Sequence, residues 1–439
     1  MKCDKRDKLR TDIFYTFCTY TACASMTLAL AQTMGCSRTP RESQGSSGSS
    51  NASGSSGSRS NQKVDAPRVE VSTPPARAAY ITNNGSDSIS VIDRDGPTVT
   101  DVPIAADPAR GRAWGTHPAP HHLAVDPTSG ALFVALAHAP VPGAEAAASK
   151  NDPHAAHGRA STAGQIARFA LGNWGPYTAQ DVDDNPGDIV LTHDRARALV
   201  THFDMKRAMT AAAAGGPPAS LYATLQIWDT RTLERIGSRA ICVAPHGVVT
   251  TRDDRTAIVA CYGSDELALV DLTAPGLPTS RYPLGPTQGV LGAPRYGPYS
   301  ALLSPDEREI IVANLEGTDV RIFDRERRRF LPERTLSLGA RVFMSDYTGG
   351  NVILAPLQSP DGVARIDIAR SAVEKRVTFP RETCQAPHAI RRANDGRVYL
   401  VCEGDHVNKG SVLQLDPETL AVVRRWAVGV YPDGIAFGE

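Results

Sequence analysis

The sequence predicts an all-β fold of seven four-stranded sheets in a ring, closed by pairing the C-terminal strand with the N-terminal strands. Three observations carry this. A hairpin unit occurs twice. It reads Cys242-Val-Ala-Pro-His246-Gly-Val-Val with Ala-Ile-Val-Ala-Cys261, and Cys384-Gln-Ala-Pro-His388-Ala-Ile with Val-Tyr-Leu-Val-Cys402. Each copy is a short apolar strand, a polar turn and a second β-rich strand. Punctuation recurs as well. Asp closes comparable strands at Asp93, Asp229, Asp271, Asp324, Asp367 and Asp416, and Pro opens units at Pro120, Pro186, Pro245, Pro298, Pro387 and Pro432. Finally, the pieces left over after the complete units are one strand at 433–438 and others at 78–83, 88–93 and 98–104. Together they make one more sheet, shared between the two ends, which hides the edges of the ring.

In chain order, residues 1–36 precede the fold. Lys2, Lys5, Arg6, Lys8 and Arg10 form a basic start, Ile13 to Ala31 is mostly apolar, and Thr33-Met34-Gly35-Cys36 follows. This pattern is a secretory signal. Its end resembles a bacterial lipobox, with Thr33 where that pattern has Leu, so Cys36 is the expected lipidation site. Ordinary cleavage or an uncleaved anchor are the alternatives. Residues 37–76 read as a disordered linker, rich in Ser and Gly and poor in apolar side chains. The seven-sheet fold is expected to span 77–439.

Taking strands from innermost to outermost, the first complete unit is read at 120–126, 131–137, 164–170 and 174–182. The next is read at 187–192, 196–202, 221–229 and 233–241. A third uses 246–251, 256–262, 266–272 and 279–284, and a fourth 299–304, 308–314, 318–324 and 332–338. A fifth, without the opening Pro, uses 341–346, 351–357, 362–368 and 373–379. The sixth uses 388–393, 397–403, 411–416 and 420–428. Two insertions, 138–163 and 203–220, fall between second and third strands of adjacent units. That places them on the face where the units are entered, with the Pro-His segments.

The segment Tyr80-Ile-Thr-Asn83-Asn-Gly85, followed by Ser-Ile-Ser-Val-Ile-Asp93, resembles the repeat of the YVTN (YncE-like) β-propeller family. That repeat has Tyr-Val-Thr-Asn, a polar turn and Val-x-Val-Ile-Asp. Trp228-Asp229 supplies one WD dipeptide. The resemblance implies a seven-bladed propeller. It implies little about activity, since the family is defined by its repeat.

Of the 8 cysteines, Cys3, Cys18 and Cys23 would leave with the signal and Cys36 would carry lipid. The remaining pairs, Cys242 with Cys261 and Cys384 with Cys402, are expected to be disulfides in an oxidising compartment. The alternatives are buried thiols or a metal site, and neither pair has the C-x-x-C spacing of zinc ligands.

His121, His246 and His388 occupy equivalent positions just before an innermost strand. Converging imidazoles could hold a metal. They could equally be repeat-encoded and hydrogen-bonded to the neighbouring sheet. His122, His202 and His406, with Glu403 and Asp405, are further candidates on the same rim. Asp152-Pro-His154-Ala-Ala-His157 places two more histidines in the first insertion. The chain lacks C-x-x-C-H, G-x-S-x-G, H-E-x-x-H, a Walker loop and G-x-G-x-x-G. Equal numbers of basic and acidic residues, 47 each, point away from nucleic acid.

The expected protein is therefore a monomeric, lipid-anchored, extracytoplasmic binding scaffold of the periplasm or outer membrane. It would meet the membrane through its lipid only. A cell-envelope protein or small ligand would bind its loop-bearing face. No catalytic residue, cofactor or metal is assigned; His121, His246 and His388 are where an ion would sit. The alternatives are a lactonase-like or metal-assisted hydrolase, or a redox partner docking a separate haem protein.

Overall fold

The computed structural model describes residues 62–64, 74–105, 116–139, 162–290 and 293–438. The stretch read as a signal, Cys36, most of the stretch read as a linker, residues 140–161 of the first insertion, and His154 and His157 lie outside them. Among the described residues the strands form seven sheets. We number these blades from the one holding Ala78. Blade one is closed as the sequence predicts: Pro432–Phe437 pairs with Ala78–Asn83, with Ile435 against Ile81 and Phe437 against Ala79.

The other blades follow the predicted order. Blade two is Pro120–Asp126, Ala131–Leu136, Ala163–Ala170 and Asn173–Asp184. Gln62–Val64, from the stretch read as linker, adds a further outer strand to it. Blades three, four and seven are complete four-stranded sheets with innermost strands Pro186–Leu191, Pro245–Thr250 and Pro387–Arg392.

Two strands depart from the reading. In blade five the outermost strand is split into Arg329–Phe330 and Leu336–Ser337 by a turn at Pro332–Arg334. Proline cannot donate to the ladder, so it interrupts the strand. In blade six the innermost strand is split into Arg341–Val342 and Asp346–Gly349. Met344, in the break, turns to the next blade instead. Its N–H donates to the His388 carbonyl at 3.0 Å, and its carbonyl accepts from the Ile390 N–H at 2.9 Å.

Burial explains the composition of each layer. The second strand of blade two, Ala-Leu-Phe-Val-Ala-Leu, is buried at every position, as is Val398–Cys402 of blade seven. A sheet covered on both faces needs an unbroken apolar run rather than alternation. The outermost strands face water, and Ala372–Thr378 carries exposed Glu374, Lys375 and Arg376.

Entry into each blade has a common device. The residue before the opening proline has positive φ in six blades: Ala119 (45°), Asn185 (54°), Ala244 (48°), Gly297 (57°), Ala386 (51°) and Tyr431 (52°). Non-glycine residues hold that conformation only where their surroundings impose it. The register then slips just after the proline, between Pro120 and Leu123, Pro245 and Val248, Pro298 and Ser300, and Pro387 and Ala389. Such a bulge sets two residues against one and re-aims their side chains.

Both expected disulfides form, with Cα separations of 5.9 Å for Cys242–Cys261 and 5.3 Å for Cys384–Cys402. One detail differs from a simple hairpin closure. Cys242 ends Arg235–Cys242, the outermost strand of blade three, so its bond to Cys261 ties blade three to blade four. The left-handed Ala244 turns the chain, so the innermost strand starts only at Pro245.

Candidate metal centre at the channel mouth

The position after each opening proline supplies the centre. It holds His121 in blade two, His246 in blade four, Tyr299 in blade five, His388 in blade seven and Asp433 in blade one. The bulge also brings in the following residue, His122 in blade two; the second position after Pro186 gives Asp188 in blade three. All of these side chains are buried.

Threonines fix the backbone that carries them. Thr201 Oγ1 donates to the His246 carbonyl at 2.6 Å and accepts from the Asp188 N–H at 2.9 Å. Thr82 does the same between the His121 carbonyl and the Gly434 N–H. Each hydroxyl thus staples one blade to the next at the height of the histidines. Gly247, which follows His246, allows the blades to approach: a Cβ there would lie 2.7 Å from the Tyr299 carbonyl oxygen.

The imidazoles meet across the ring. Ring centroids lie 4.3 Å apart for His121 and His122, 5.6 Å for His121 and His246, and 6.0 Å for His122 and His388. His246 stacks on Tyr299 at 3.8 Å and takes the edge of Phe203 at 5.2 Å. Phe203 opens the second insertion, whose helix α1, Met205–Ala213, follows the Asp204 cap. Ligand atoms of His121, His122 and His246 lie within 4.8 Å of one another, and so do those of His122, His388 and Asp433.

A carboxylate holds Nδ1 of three of the rings. Asp433 holds His121, Asp188 holds His122 at 2.7 Å, and Glu403 holds His388. Two of these pairs cross between blades, as the structural reading of the histidines expects. They are also the arrangement that orients a metal-binding imidazole, since a carboxylate at Nδ1 directs Nε2 to the ion. Asp433 has a second role. Its Oδ1 lies 3.1 Å from His388 Nε2 and 3.7 Å from His122 Nε2, and so faces both rings.

The electrostatics are those of a tightly compensated buried cluster. Burial would raise the Asp433 carboxyl, but His121 and His388 hold it well below the usual range. Burial would lower His122, yet Asp188 and Asp433 overcome it and hold its pKa up at about 9. Burial lowers His121, and the attraction of Asp433 does not offset it. Burial, reinforced by the nearby carboxylates, pushes the Tyr299 hydroxyl well up.

Of the residues singled out in the sequence, His121, His122, His246 and His388 converge. His406 joins them indirectly: its Nε2 lies 2.7 Å from Glu403 Oε2, and its ring stacks on Tyr431 at 3.6 Å. His202 turns instead to the Thr224 carbonyl at 2.9 Å. Asp405 forms a surface turn, accepting from the N–H groups of Val407 and Asn408. Asp433, Asp188 and Tyr299 were not among the sequence candidates. The signal was present for two of them, since Pro298-Tyr299 and Pro432-Asp433 stand in the same frame as the Pro-His segments.

Neither a protein-family model nor a curated protein matches the sequence. Solved structures do match in fold. A functionally unknown protein from Desulfotomaculum acetoxidans aligns with TM-score 0.56 at 12% identity, over 82% of this chain and 99% of that one. The periplasmic gluconolactonase PpgL of Pseudomonas aeruginosa gives 0.54 at 15%, over 82% and 98%. The dihydro-heme d1 dehydrogenase NirN gives 0.51 at 13%, over 85% and 79%. At these identities the likeness is one of fold.

Proposed function

We propose that this protein is an extracytoplasmic, lipid-anchored propeller that acts by binding, and that its channel mouth takes up one divalent transition-metal ion. The observation that carries this reading is the placement of Asp433 Oδ1 at 3.1 Å and 3.7 Å from two imidazole Nε2 atoms. Two ligands about 2.0–2.1 Å from a tetrahedral ion stand roughly 3.3–3.4 Å apart. The two Asp433 Oδ1 distances bracket that spacing, the ligand atoms of His122, His388 and Asp433 lie within 4.8 Å of one another, and His121 and His246 stand next to them. Imidazole and carboxylate without thiolate suit zinc. The two disulfides support an oxidising compartment. The signal-like start with Cys36 supports the anchor.

Equilibrium dialysis of the chelator-treated protein against Zn²⁺ tests this. One ion per chain is expected, with His246→Ala binding at least about tenfold more weakly. Sub-stoichiometric zinc, unchanged in the variant, would remove the reading.

A metal-assisted hydrolase is the second reading. It draws on the cavity of about 390 Å³ that reaches His122 and Asp188 from inside the channel, where a metal-bound water could meet a substrate. The gluconolactonase name of one structural neighbour makes lactones the first substrates to try with the zinc-loaded protein.

A further inference from the structure

The channel changes character along its length. The cavity of about 390 Å³ starts at His122 and Asp188 and ends among Arg195, Arg391 and Arg392. These arginines belong to the mouth opposite the insertions. Arg195 lies in the turn after Pro186–Leu191, and Arg391 and Arg392 end Pro387–Arg392. Ala389 and Arg391 both line the cavity. Two residues along a strand span about 6.5 Å. The basic end is thus separated from the histidines by the length of a small molecule.

The charge there is balanced at longer range: Asp188 and Asp346 attract Arg391, Asp346 also attracts Arg392, and Asp126 attracts Arg195. Among the described residues, Arg195, Arg391 and Arg392 form no ion pair, whereas Arg94, Arg321, Arg334, Arg365 and Arg397 each have a carboxylate. The Arg195 side chain donates to the Val125 carbonyl at 2.7 Å, and that of Arg391 to the Ile390 carbonyl at 2.9 Å. The nearby acids are also held by other groups. Asp188 holds His122, Asp254 lies 2.9 Å from His193 Nδ1, and Asp346 accepts from the N–H groups of Tyr347 and Arg392. Guanidinium groups lining a concave space are suited to oxyanions, which they bind with paired N–H donors.

We infer that the channel below the histidine cluster is a binding site for a small organic oxyanion, a carboxylate or a phosphate ester, held by Arg391 with Arg195 and Arg392. The site does not depend on the metal reading. It faces the other end of the channel, and its test uses protein freed of metal. Isothermal titration of the chelator-treated full chain with citrate and with inorganic phosphate, at low salt, reads it. At least one probe binds one per chain, and Arg391→Gln weakens it by about tenfold or more. Binding of citrate alone identifies carboxylates, and binding of phosphate alone identifies phosphate esters. Arg392→Gln, at an exposed position, gives a second weakened variant whose fold is not in question. The inference is overturned if neither probe binds, or if both variants bind like the parent.

Discussion

Asp433→Asn is expected to lose zinc by a factor of at least about 10³, because partners behind a ligand are alone worth about 10–100-fold. The substitution preserves shape and removes the charge that the whole centre shares. Oδ2 of this carboxylate holds His121, while Oδ1 faces His122 and His388. Its loss therefore removes one ligand and releases the orientation of another. The metal-free variant should also be less stable, by about 3–5 kcal/mol, the usual cost of breaking a buried ion pair from one side. His122 keeps only Asp188 as counter-charge once Asp433 is neutral. Dialysis and chemical denaturation read the two effects. A variant that binds zinc like the parent would show that Asp433 is no ligand.

Ending the chain at Tyr431 is the second large change. It deletes Pro432–Phe437, the innermost strand of blade one, and leaves Ala78–Asn83 with an open edge. Ile435 is buried, and Phe437 packs on Tyr399 with ring centroids 5.3 Å apart. Burying each such side chain contributes about 1.5–3 kcal/mol. The paired backbone and the loss of ring closure add to that. Against a total stability of about 5–15 kcal/mol, the truncated chain should not fold cooperatively. Thermal unfolding followed by near-ultraviolet circular dichroism measures this. A sharp transition at the parent temperature would mean that the ring does not depend on its terminal strand.

Much of the fold is legible because its punctuation is chemical. Proline opens an innermost strand, Asp closes a third strand, and a run such as Ala-Leu-Phe-Val-Ala-Leu declares burial on both faces. What the sequence hides is direction. Nothing in Pro120-His121-His122 says that a bulge turns both rings inward, since adjacent residues of a regular strand point to opposite faces. Asp433 and Asp188 were hidden by their residue type, because Asp elsewhere in this chain makes turns, as Asp229 and Asp416 do. Cys242 read as part of a hairpin because the left-handed Ala244, which starts the strand afresh, is an alanine. Blade six lacked the proline, and there the innermost strand is broken.

X-ray absorption at the zinc edge of the protein loaded with one equivalent of Zn²⁺ tests the metal centre most directly. The expected spectrum has only nitrogen and oxygen neighbours at about 2.0–2.1 Å, with the multiple-scattering signature of several imidazoles and no sulfur shell near 2.3 Å. A six-oxygen shell of hydrated ion, or zinc that washes out before the spectrum is taken, would contradict a metal centre at the mouth of this channel.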